Sequence, residues 1–191
     1  MKKEDIITLP NDHLRQKSRK VIPNSNDVQT LVQNMTDAAL DWEDSRPHEI
    51  SAALAAIQVD KLERVVIVRS DFENKENRDF TALINPEIVK YEGNTVEDYE
   101  GCLSVKNVYG KVPRRTKIRV KAMNADGHEV RFKADGFLAR VIQHEIDHTN
   151  GILFVDHIRD NKDAFFELDD KGELQPLDYD KSIADSDLFD D

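Results

Sequence analysis

The sequence predicts an α+β domain, with a central metal-bearing helix surrounded by short antiparallel β-sheets. Three observations carry this. Strand-like segments arrive as hairpins rather than alternating with helices, so parallel βαβ order is not supported. One amphipathic helical pattern precedes them, over residues 26–42. Near the end of the strand-rich region, His144-Glu145-Ile146-Asp147-His148 sets two imidazoles four residues apart in an apolar run.

Residues 1–25 are polar with scattered apolar anchors (Ile6, Leu9, Leu14, Val21, Ile22) and two prolines, an extended arm lying on the domain. From 26 to 42, Val28, Leu31, Val32, Met35, Ala39 and Trp42 follow helical spacing, with Ser25 or Asn26 as N-cap. Arg46-Pro47-His48 ends that helix. Residues 51–58 are small and apolar. Val65, Val66, Ile67 and Val68 predict a strand over 64–69 by β-branching, and 71–79 is a charged loop. Residues 81–91 predict another strand, interrupted at Pro86. Ile118 and Val120 alternate, Asn124-Ala125-Asp126-Gly127 turns, and Val130, Phe132 and Ala134 alternate back, which is a β-hairpin. The central helix then starts near Gly136, with Asp135 in the cap position. Phe165-Phe166-Glu167-Leu168 and Glu173-Leu174 flank Asp169-Asp170-Lys171-Gly172 as a second, smaller hairpin.

A chain of 191 residues is one domain by prior. We divide it into a catalytic domain over 1–166 and an acidic C-terminal hairpin and tail over 167–191. That tail holds ten Asp or Glu against Lys171 and Lys181, and so carries most of the net charge of −11. It is expected to be solvated. Asp178 and Asp180 suggest a calcium loop, but the required Gly and terminal Glu are missing. The negative charge argues against direct nucleic-acid binding through a basic surface. One cysteine excludes an intrachain disulfide and fits a reducing compartment. No long apolar run supplies a signal peptide or a membrane span, so a cytoplasmic location is expected.

On a helix, residues four apart stack on one face, so His144 and His148 can grip one metal ion while Glu145 reaches a water on it. A chance match on a polar surface helix is disfavoured by Phe137, Leu138, Val141 and Ile142, which make the segment apolar. Phe137 and Val141 share the histidine face, so an apolar pocket is expected beside the metal. A catalytic site takes three protein ligands and keeps an open position. Cys102, His157, Asp156 and the remaining carboxylates are candidates for the third. Cys102 sits in Glu100-Gly101-Cys102-Leu103-Ser104. A buried structural cysteine and a Cys–His nucleophile are the alternatives for it. Only the metal reading employs Cys102, both histidines and Glu145 together.

Glu100-Gly101-Cys102-Leu103-Ser104 and Gln143-His144-Glu145-Ile146-Asp147-His148 resemble the second and third signature motifs of peptide deformylases. Leu54-Ala55-Ala56-Ile57-Gln58 matches the second half of the first. Ile84-Asn85-Pro86-Glu87, Val112-Pro113-Arg114, Ala134-Asp135-Gly136 and Gly151-Ile152-Leu153-Phe154 extend the likeness over about residues 5–160. The resemblance implies a peptide deformylase-like fold and a hydrolase that removes the formyl group from N-formylmethionine of newly made polypeptides. It implies one divalent metal ion on Cys102, His144 and His148, Fe2+ in cells, with Zn2+, Ni2+ or Co2+ able to replace it. Hydroxide on that metal would attack the formyl carbon, with Glu145 as general base. Gln58 and the Leu103 N–H would donate to the oxyanion. Ala52, Ala53, Phe137 and Val141 would bind substrate, and Glu100 and Arg114 would form a supporting ion pair. The formyl-Met nascent polypeptide is the implied partner, with transient ribosome contact and no membrane.

The sequence also departs from the family. Ser51 and Ala53 stand where the first motif carries glycines, so ordinary strand angles or an altered groove are expected there. Thr149 replaces a common apolar residue, and Val105-Lys106-Asn107 lacks the usual proline. Two alternatives are therefore weighed. One is a catalytically weak or inactive relative that binds peptides or the ribosome. The other is an HExxH metallopeptidase, which needs no cysteine ligand.

Overall fold

The structure is a computed structural model that describes residues 1–46, 49–184 and 186–189. Its elements run α1 (Asn26–Asp44), β1 (Ala53–Ala55), β2 (Val65–Arg69), β3 (Phe80–Cys102), β4 (Val105–Met123), β5 (Glu129–Asp135), α2 (Gly136–His148), β6 (Phe165–Leu168), β7 (Leu174–Pro176) and a short α3 (Tyr179–Ser182). The class is α+β. Every strand pair is antiparallel, and the strands join one sheet in the order β1-β2-β3-β4-β6-β7, with β5 also on β4.

The middle of this sheet is covered on both faces, which explains the unbroken apolar run of β2. Val65 and Ile67 pack with Val28, Leu31, Met35, Ala38 and Ala39 of α1. Val66 and Val68 point the other way and pack with Val141, Ile142 and Ile146 of α2. Alternation along a strand thus feeds two helices rather than one helix and solvent. The α1 helix starts as predicted, with Ser25 Oγ accepting from the Val28 N–H at 3.3 Å. It ends at Asp44, and Pro47 and His48 of the predicted break lie outside the described residues. Asp135 occupies the position before α2, but its side chain makes no cap bond.

The N-terminal arm lies on the domain through backbone bonds, Ile7 N to Gln58 O at 2.8 Å, Leu9 N to Ser104 O at 3.0 Å and Ser18 N to Thr149 O at 2.9 Å. Leu14 is its buried anchor, whereas Ile22 stands in solvent. No described helix is long and apolar enough to cross a membrane.

Two segments differ from expectation. Residues 92–116 were not predicted as strand, yet β3 and β4 form one long hairpin whose pairing runs from Ile84↔Met123 to Cys102↔Val105. The outer half of β3 is exposed on both faces, so no apolar alternation marks it. Backbone pairing and a bulge beside Gly93, at φ +72°, hold it instead, while a second bulge, at Asn85-Pro86 where Pro lacks a donor, lies at the buried inner end. The acidic tail is not simply solvated. The β6–β7 hairpin leads into α3, and Ile183 and Leu188 are buried, at 1% and 8% exposure, beside Phe154 and Phe165. Apolar residues spaced among the carboxylates make that packing possible, and average composition conceals them.

Candidate metal centre

Two elements deliver the donor atoms. Helix α2, buried on nearly every side, holds His144 and His148 one turn apart, with ring centroids 4.9 Å from each other. The tight β3–β4 turn brings Cys102 back onto that helix. Cys102 Sγ lies 3.1 Å from His148 Nε2, and ligand atoms of Cys102, His144 and His148 all fall within 4.8 Å of one another. No fourth His, Cys, Asp or Glu among the described residues joins the group. Thiolate plus two imidazoles, with a corner left open, is a fitting donor set for a transition metal. The other candidates for third ligand are engaged elsewhere. Asp156 accepts from Arg15 and from the Leu153 N–H, and His157 lies 2.7 Å from Asp147.

Glu100 orients the first histidine. Its Oε2 lies 2.9 Å from His144 Nδ1, which leaves Nε2 to face the metal position. The predicted Glu100–Arg114 pair is present and bidentate, at 2.9 and 3.0 Å. Burial opposes the Glu100 charge, but His144 and Arg114 outweigh it and hold the carboxyl well below its usual range. Arg114 also bonds Asp147, one residue before His148. Burial holds His148 well below its ordinary pKa, whereas Cys102 and Glu100 outweigh burial at His144 and hold it well above its own.

Gln58 is held in a defined pose. Its Oε1 accepts from the Ala55 N–H at 2.9 Å, so Nε2 faces Ser104 Oγ at 3.1 Å and Cys102 Sγ at 3.5 Å. Leu103 occupies the turn directly after Cys102. Glu145 is buried, and its Oε2 has no partner among the described residues. Burial, with Glu100 and Asp147 adding to it, pushes its carboxyl up to about 7. A carboxylate oxygen buried without a partner suits a water or substrate proton.

One cleft brings these residues together. Gln58, Leu103 and Glu145 line it, as do Ala52, Ala53, Phe137 and Val141 and the ligands Cys102 and His144. Phe137 was expected to be buried with the helix, but it is 52% exposed at the rim, edge-on to Phe72 at 5.0 Å. Residues 51–55 show no left-handed backbone angle, so Ser51 and Ala53 sit in conformations open to any residue. The buried Thr149 satisfies its hydroxyl on the Ile146 carbonyl at 2.7 Å.

Sequence reasoning missed three parts of the cleft. Tyr109 hydrogen-bonds Glu49 across it, and Trp42 carries the Arg46 guanidinium 5.1 Å above its ring. The first contact joins segments sixty residues apart, which no local pattern marks, whereas Trp42 and Arg46 are four residues apart. Arg140 is different. A cation inside the apolar start of the metal helix, one turn before His144, was a visible signal.

A model of the family described as polypeptide deformylase matches residues 3–164. The chain is 40% identical over 171 residues to a peptide deformylase of Thermomicrobium roseum, covering 88% of this chain and 93% of that one. It is 41% identical over 145 residues to one of Halothermothrix orenii, covering 76% and 86%. Its fold is similar to a Synechococcus elongatus peptide deformylase solved with actinonin, with TM-score 0.72, 33% identity, and 80% and 78% of the two chains covered. It is likewise similar to an Acinetobacter baumannii peptide deformylase solved with Met-Ala-Ser bound, with TM-score 0.70, 33% identity, and 80% and 96% covered.

Proposed function

The chain belongs to the polypeptide deformylase family, and on that premise we propose how its own residues carry out the family's metal-dependent hydrolysis of the formyl group on the N-terminal methionine of new polypeptides. Cys102, His144 and His148 hold one divalent metal ion, Fe2+ in the cell. When bound, the ion supplies Lewis acidity that lowers the pKa of a water and polarises the formyl oxygen. Glu145 takes the proton of the attacking water as its oxygen bonds the formyl carbon. It then delivers that proton to the nitrogen as the carbon–nitrogen bond breaks, leaving formate and a free amine. Its raised carboxyl pKa, about 7, suits a group that must both accept and return a proton. Gln58 Nε2 and the Leu103 N–H donate to the formyl oxygen as it gains charge. The substrate backbone runs beside Ala52 and Ala53, and the methionine side chain lies against Phe137 and Val141.

The juxtaposition of Cys102 Sγ and His148 Nε2 at 3.1 Å, beside the partnerless Glu145 carboxylate, carries this reading. The deformylating unit spans 1–166, and 167–191 is an appended acidic hairpin and tail. The enzyme works in the cytoplasm on formyl-Met nascent chains, touching the ribosome transiently. No observation favours the peptidase or the inactive relative, since the Ser51–Ala55 stretch is unstrained. Anaerobically purified protein is tested for formate release from formyl-Met-Ala-Ser and for cleavage of unblocked Met-Ala-Ser, with metal content measured in parallel. Formate from the first and nothing from the second is expected. Cleavage of the unblocked peptide, or no formate from metal-loaded protein, overturns the assignment.

A further inference from the structure

We propose that Arg140 is a positioning residue for the metal centre. It ties the Cys102 end of the β3–β4 hairpin to helix α2 and so sets how firmly the three donors grip an ion. The inference rests on the ligand assignment just made. Two ligands are built into α2, but the third rides on a hairpin, and a hairpin can lift away from a helix. Arg140 is on α2, one turn before His144, and is 7% exposed. One of its nitrogens, Nη1, donates to Glu100 Oε1 at 2.7 Å, to Val112 O at 2.8 Å and to Asp98 O at 3.3 Å. The other, Nη2, donates to Val96 O at 2.8 Å. Val96, Asp98 and Glu100 belong to β3, the strand that ends in Cys102, and Val112 belongs to β4.

Among the other polar side chains of α2, His144 and His148 reach β3 at the Glu100 carboxylate and the Cys102 sulfur, while Gln143 and Asp147 reach β4. Gln143 bonds the Arg115 backbone, and Asp147 bonds Arg114. Arg140 therefore adds bonds to the backbone of the cysteine-bearing strand, at Val96 and Asp98, to those side-chain contacts. It also completes Glu100, which takes two donors on each oxygen: Arg114 and Arg140 on Oε1, Arg114 and His144 on Oε2. A carboxylate saturated in this way cannot rotate, so His144 is pinned through it. A flat guanidinium with several fixed N–H bonds can serve both strands at once, whereas the single ammonium of lysine cannot.

The experiment uses the whole chain loaded with Co2+. Wild type is expected to show a thiolate-to-cobalt charge-transfer band and slow loss of cobalt to a chelator. Arg140→Met should lose cobalt about 10–100-fold faster, the range found for outer-shell partners of metal ligands, and its band should shift. Arg140→Lys should recover only part of both. Met35→Ala, at a residue of α1 buried on the face of the sheet opposite α2, is the control for lost stability: it should lower the melting temperature while leaving band and cobalt loss unchanged. If Arg140→Met is insoluble, Arg140→Lys alone decides, with several-fold faster loss expected. Band and rate equal to wild type in the Arg140 variants overturn the inference while leaving the ligand assignment intact. A wild type without the thiolate band overturns the assignment itself, and this inference with it.

Discussion

His144 Nδ1 lies 2.9 Å from Glu100 Oε2, so the carboxylate that orients one candidate metal ligand sits two residues before another, Cys102. One strand therefore supplies both a donor and the group that aims a donor on the neighbouring helix.

Glu100→Gln keeps the shape of that group and removes its charge. Metal affinity is expected to fall about 10–100-fold. Arg114 and Arg140 would lose their shared anion while buried, and stability should drop by about 3–5 kcal/mol. The folded-state pKa of Glu100 is depressed, so its stabilisation is complete above the unfolded carboxylate pKa. It is lost only as pH falls through the lower folded value. Melting temperature against pH should therefore lose part of its acid limb in the variant, and an unchanged limb would contradict the charge assignment.

Glu145→Ala separates chemistry from binding. Turnover should fall roughly 10²–10⁴-fold with the metal retained. Because Glu145 Oε2 is buried without a partner, removing it should leave the melting temperature unchanged or higher. Turnover near wild type would show that another group moves the proton.

Gly101→Ala tests the approach of the β3–β4 turn. A Cβ there would meet Tyr109 Cε1 at 2.5 Å, and that ring is tethered through its hydroxyl to Glu49. We expect a loss of about 1–3 kcal/mol from overpacking. Adding Tyr109→Ala should restore part of it, measured by a double-mutant cycle of chemical denaturation.

Chelation should abolish turnover and lower stability together, because the ion binds only the folded arrangement of Cys102, His144 and His148. For free metal at a thousandfold over its dissociation constant, the linked stabilisation is about 4 kcal/mol. Calorimetry before and after reloading with Co2+ checks it, and a melting temperature indifferent to metal would count against a shared site.

Ile183→Ala probes the C-terminal segment. Ile183 packs with Phe165 and Leu188, so its truncation should cost roughly 2–5 kcal/mol, against nearly nothing for a residue in a solvated tail.

The residues of the candidate site were legible because their spacing is local. His144, Glu145 and His148 lie within one helical turn, and Gln58 and Cys102 stand in short motifs. The two covered faces of β2 were half legible: its apolar run announced a buried strand but not which residue met which helix. The outer half of the long hairpin was illegible, since exposed strands carry no apolar alternation and their register is set by bulges and backbone pairing. The tail was misjudged from its charge, because five hydrophobic residues among ten carboxylates, Leu177, Tyr179, Ile183, Leu188 and Phe189, suffice to anchor it.

By itself, then, the sequence determined the helix and the placing of His144 and His148 on one face of it with Glu145 beside them, since i,i+4 geometry follows from backbone hydrogen bonding alone. Only the tertiary structure showed that Cys102 Sγ comes within reach of both imidazoles while Asp156 and His157 are engaged elsewhere, and that Arg140 and Arg114 share one buried carboxylate. Those choices depend on which segments meet across the β3–β4 turn and α2. Contacts between residues about forty positions apart are settled by packing, which no local pattern encodes.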